Sequence, residues 1–113
     1  MSDLLGSKDL LGSKDFTPHL HSIFTVETPE ALELELTEVT DSSNTQIEQF
    51  SVFFAGPLSP WLQQGTFTLL HPDMGQVTLF MGPKGPSGGR MIYEAIFSRL
   101  IAAATPPQGL ELR

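Results

Sequence analysis

The chain contains no cysteine, which excludes a disulfide framework, a thiolate metal site and a cysteine nucleophile. Aromatic polar side chains are scarce, with one tryptophan and one tyrosine. No apolar run exceeds a few residues, so nothing in the sequence has the length to span a bilayer as a helix. Lys and Arg are missing from the whole stretch between Asp15 and Pro83, while seven of the acids fall from Glu27 to Glu48. With Lys plus Arg at 6 and Asp plus Glu at 13, the formal charge is −7. That balance argues against a partner made of phosphates, whether nucleic acid or an anionic membrane. The 113 residues fit one domain, and 40% hydrophobic content is enough for a core.

The first fifteen residues hold a perfect hexapeptide repeat, Leu4 to Asp9 and Leu10 to Asp15, each reading Leu-Leu-Gly-Ser-Lys-Asp. Six residues advance 240° around a helix, so the leucine pairs do not share a helical face. Adjacent leucines also point to opposite faces of a strand. Two readings follow: a flexible duplicated tail, or a docking arm whose Leu4, Leu5, Leu10 and Leu11 anchor on a neighbouring subunit. The start lacks the basic and apolar regions of a secretory signal. The expected location is the cytoplasm by default, or a released phage-like particle.

From Phe16 the text turns to β. Ser22 to Thr28 is β-branched and aromatic, and Pro29 closes it. Ala31 to Val39 alternates, with Leu32, Leu34 and Leu36 on one face and Glu33, Glu35 and Thr37 on the other. Period two with the charges outside predicts a half-buried antiparallel strand. Asp41-Ser42-Ser43-Asn44 predicts a turn. Glu48 to Ala55 is a third strand in which Phe53 opposes Phe50, Val52 and Phe54, so both of its faces are expected to be covered. Gly56-Pro57 ends it, and Leu58 to Gly65 is expected to be irregular or a single helical turn around Trp61. Thr66 to His71 and Gln76 to Met81 form a hairpin about Pro72-Asp73-Met74-Gly75. Gly82 to Gly89 is expected to be an open loop. Met91 to Leu100 reads as a sixth strand, and Ala102 to Arg113 as a tail. The predicted fold is all-β: a small antiparallel sandwich or barrel of about six strands over residues 16–100, with a flexible or docking arm at 1–15 and a tail at 101–113.

His19, His21 and His71, with Asp73, invite a metal site, but isolated histidines more commonly serve structure, and no metal or other cofactor is expected. Glu33, Glu35, Glu38 and Asp41 read as a solvated outer face rather than a calcium loop or a glycosidase pair. Gly82 to Arg90 mimics a phosphate cradle, yet Lys84 precedes the glycines and two prolines remove donors. Its basic pair, Lys84 and Arg90, is expected to dock an acidic partner surface. Ser51, Ser59, Ser87 and Ser98 lack the strand-turn-helix elbow of a reactive serine. No catalytic residue is assigned.

Taken together, Phe53-Phe54-Ala55-Gly56-Pro57, Leu62-Gln63-Gln64-Gly65-Thr66-Phe67 through His71 and Gly75, Leu79-Phe80-Met81-Gly82-Pro83, and Tyr93-Glu94-Ala95-Ile96-Phe97-Ser98-Arg99 carry a resemblance. In order and spacing they resemble an uncharacterised family of bacterial domains of unknown function, across about residues 16–100. The resemblance implies an association with phage-tail-collar-like genes, and hence with tail-like or fibre-like assemblies. It implies no active site. The expectation is a non-enzymatic assembly or protein-interaction domain whose partners are identical subunits or other assembly proteins. The alternatives are a small-ligand barrel with its mouth near Trp61 and Tyr93, and a metal-dependent hydrolase at the histidines.

Overall fold

The computed structural model describes residues 11–28 and 30–100. Six antiparallel strands follow a short N-terminal plug: α1 (Ser13–Phe16), a 3₁₀ turn (Thr17–His19), β1 (Ile23–Val26), β2 (Glu33–Asp41), β3 (Ile47–Gly56), β4 (Gly65–His71), β5 (Gly75–Ser87) and β6 (Arg90–Leu100). They close into a barrel in the order β1-β2-β3-β6-β5-β4. Two meanders, β1 to β3 and β4 to β6, are joined by the crossing segment Pro57–Gln64, so that β3 lies beside β6 in Greek-key fashion. The all-β architecture expected from strand spacing is therefore observed, in its barrel form.

Alternation places the core. Leu34 and Leu36 of β2, Phe50, Val52 and Phe54 of β3, Val77, Leu79 and Met81 of β5, and Tyr93 and Ala95 of β6 all turn inward and are buried. One end is stoppered by Phe16, which is fully buried against Phe50 and Phe97 with ring centroids 6.1 and 5.6 Å away. Phe50 and Phe97, neighbours across β3 and β6, stack at 4.6 Å. The turn at Asp41–Asn44 forms as expected, with the Asp41 carboxylate accepting from the Ser43 N–H and the Asn44 side-chain Oδ1 accepting from the N–H groups of Gln46 and Ile47.

Two expectations are corrected. Gly82 to Gly89 is not an open loop, because β5 continues to Ser87 and turns back through Gly88 and Gly89, whose φ values of +61° and +80° suit a two-residue hairpin. Beyond Met81, β5 has left β4 and keeps only β6 as a neighbour. It is then an edge strand, where Pro83 and Pro86 are tolerated because one row of N–H groups has no partner to lose. A bulge between Pro83 and Gly85 absorbs Lys84. Of the two forms expected for Leu58–Gly65, the helical turn does not form and the irregular one is observed as far as Gln64, with Gly65 already opening β4. The amide of Leu62 donates to the Tyr93 hydroxyl at 2.8 Å, which ties this crossing to the core.

The second hexapeptide is part of the plug. Gly12 stands at the N-cap of α1 rather than inside it, so its low helix propensity costs little there. Leu4, Leu5 and Leu10, and the tail from residue 101, lie outside the described residues.

Candidate interaction site

The plug touches the barrel on two flanks, and the sequence-predicted residues divide between them. On one flank the structure brings His19 and His71 together, with ring centroids 4.6 Å apart, and adds Asp73 from the β4–β5 turn. Ligand atoms of these three residues all lie within 4.8 Å of one another. His21 is not among them, since its Nδ1 faces the Glu35 carboxylate at 3.0 Å.

Hydrogen bonding decides what the trio does. His71 Nδ1 accepts from the backbone N–H groups of Asp73 at 3.0 Å and Met74 at 3.2 Å. The neutral ring then carries its proton on Nε2 and donates it to Ser22 Oγ, 2.9 Å away. The Ser22 hydroxyl in turn donates a hydrogen bond to the carbonyl oxygen of His19. A nucleophile with its base needs the reverse direction, histidine accepting from serine. A metal needs a free lone pair, and His71 has none left. The ring is buried against Phe24, which lowers its pKa by desolvation, with a smaller contribution from His19 and an opposing one from Asp73. The arrangement is a neutral pin that fixes the hairpin turn to the start of β1.

The opposite flank is open. β5 pairs with β4 from Gly65↔Met81 to His71↔Gly75, and with β6 only from Met81↔Ala95 outward. β6 meanwhile stays on β3 as far as Ile47↔Leu100. Gly75–Phe80 and Ile96–Leu100 therefore diverge as the two prongs of a fork. Among the described residues, no strand pairs with either inner edge. Between the prongs lies a cavity of about 450 Å³, walled by Gln76–Thr78 and Phe97–Arg99, with Phe50 and Leu11 as its apolar surfaces and Glu48 at the rim. Above it, at the first unmade rung, Phe80 and Ile96 stand 55% and 61% exposed on the outer face, beside a second hollow that includes Gln64 and Pro83. Nothing in the strand-by-strand reading singled these residues out. The available signal was the pair of large apolar side chains at positions where the alternation of β5 and β6 puts polar ones.

The basic residues expected to dock a partner are engaged within the chain. Lys84 Nζ is 3.3 Å from Glu94, and Arg90 Nη1 is 2.8 Å from Glu35. Arg99 similarly pairs with Glu48. Glu35 bonds to Arg90 and, secondarily, to His21, which holds its pKa below the ordinary carboxylate value. The charges separated along the sequence thus meet across β2, β3, β5 and β6. Leu11, the one described leucine of the arm set, is half-buried at the cavity wall. Trp61 is half-exposed on the crossing segment, whereas Tyr93 is spent inside the core.

Among the described residues the barrel closes around every strand pair except at one forked seam between β5 and β6. The chain belongs to a family described as a domain of unknown function (DUF6916), whose profile matches residues 11–97. No curated protein and no solved structure matches the chain. Among the described residues no helix is long and apolar enough to cross a membrane.

Proposed function

We propose that this domain is a non-enzymatic assembly module, one subunit of a homo-oligomeric, phage-tail-like structure, and that its contact surface is the β5–β6 fork. The observation that carries this reading is the pair of facing strand edges with, among the described residues, no strand between them. Unpaired N–H and C=O groups along a strand edge template the addition of another chain, and natural barrels normally leave none. The exposed Phe80 and Ile96 at the head of the fork add apolar area to the same surface. Light scattering coupled to size-exclusion chromatography, run over a range of protein concentrations, should return at least twice the monomer mass. A monomer throughout would refute the reading.

The cavity itself favours a second reading, a small-ligand module. Its volume of about 450 Å³ and its mixed lining, Leu11 and Phe97 beside Glu48, Gln76 and Arg99, would suit a small molecule with both polar and apolar parts. A thermal-shift screen against a ligand library tests this, and no stabilised case would count against it.

A further inference from the structure

We infer that the fork takes the leucine-repeat arm of a second copy of this chain, with Leu4 and Leu5 entering the space that Leu11 leaves open. This names the partner of the surface proposed above and rests on that reading. The second hexapeptide shows what the motif does against this barrel. Leu11 lines the cavity wall. Gly12 is buried with extended backbone and passes close to the Glu48 carboxylate, where a Cβ would stand 2.9 Å from Oε2. Ser13 donates its hydroxyl proton to Asp41 at 2.7 Å, and the Asp15 carboxylate accepts from the Gly12 N–H at 2.7 Å. The motif is thus a segment this barrel surface recognises, and residues 4–9 repeat it letter for letter.

The remaining space matches such a segment. The half-buried Phe97, beside Leu11, offers apolar wall to leucine side chains, while the prong edges offer backbone groups to an extended chain. No displacement of Leu11 is required, because the open volume lies beside it. The residues that precede Leu11 are long enough to reach a neighbouring copy, since six residues can span up to about 20 Å. A heterologous contact of this kind, arm of one copy into fork of the next, propagates head to tail and builds rings or filaments.

The absence of cysteine makes the test clean. Full-length Leu5→Cys is mixed with full-length Ser98→Cys and oxidised, with Glu33→Cys on the far strand β2 as the comparison partner. The expected result is a covalent pair between Leu5→Cys and Ser98→Cys well in excess of that with Glu33→Cys. Independently, Leu4→Asp/Leu5→Asp should weaken self-association roughly tenfold or more while leaving the thermal midpoint unchanged. If association persists undiminished in that variant, or both partners crosslink equally, the arm is not the occupant, although the self-association reading survives. If the double variant Leu5→Cys/Ser98→Cys crosslinks only within one chain, the second copy is overturned as host. A wild-type chain that is monomeric at every concentration removes both readings.

Discussion

The two flanks of the N-terminal plug are made from similar materials and end in opposite states. On the His71 side, both ring nitrogens are spent: two backbone donors on Nδ1, a serine on Nε2, and a carbonyl behind the serine. On the Leu11 side, two strand edges and a cavity have no partner strand among the described residues. What distinguishes the second flank, among the described residues, is strand edge with no strand paired to it, the property on which the proposed docking rests. A search guided only by reactive side chains would have chosen the histidines.

This contrast can be broken at several strengths. The largest effect is expected where both flanks depend on one residue. Phe16→Ala removes the stopper packed on Phe50 and Phe97, and should cost about 3–5 kcal/mol in urea unfolding. Next comes the closed flank alone. His71→Ala strands the Asp73 and Met74 amides and should cost about 1–3 kcal/mol, with no loss of self-association.

The same residue sets a pH dependence. Burial lowers the His71 pKa below its ordinary 6.5, so the unfolded chain takes up this proton before the folded one does. Stability from His71 is then whole above about pH 6.5 and is lost as the pH falls through the folded value. His71→Gln should flatten that limb of the stability profile. At lower pH, Glu35 and Asp41 act in the same direction, since hydrogen bonds from Arg90 and Ser13 respectively hold their pKa values down.

The open flank should respond in the other sense. Ser98→Ile fills the cavity from an exposed position, and unfolding free energy should stay within about 0.5 kcal/mol of wild type. Self-association, read by sedimentation, should nevertheless fall. The smallest effect is expected at the rim charges. Arg90→Ala removes an exposed pair with Glu35, and its unfolding midpoint at high salt should match wild type.

Much of the barrel was legible because one-sided burial writes itself as alternation. Leu32, Leu34 and Leu36 against Glu33 and Glu35 placed β2, and turn chemistry at Asp41–Asn44 and Pro72–Gly75 bounded its neighbours. The outer half of β5 was hidden, since glycine and proline read as loop wherever an edge strand can accommodate them. The neutral pin was hidden for another reason. His19 and His71 are 52 positions apart in the chain, and only closure between β1 and β4 makes them neighbours. The fork is less legible still, because it is a property of where pairing stops. No residue type marks Met81 as the point where β5 exchanges β4 for β6.

Amide hydrogen exchange followed over a concentration series tests the central claim most directly, because it reads the two prongs themselves. Protection at Gln76–Phe80 and Ile96–Leu100 should rise with protein concentration, while the amides of Asp73 and Met74 on the pinned flank stay constant. Protection on the prongs that is independent of concentration would contradict the account.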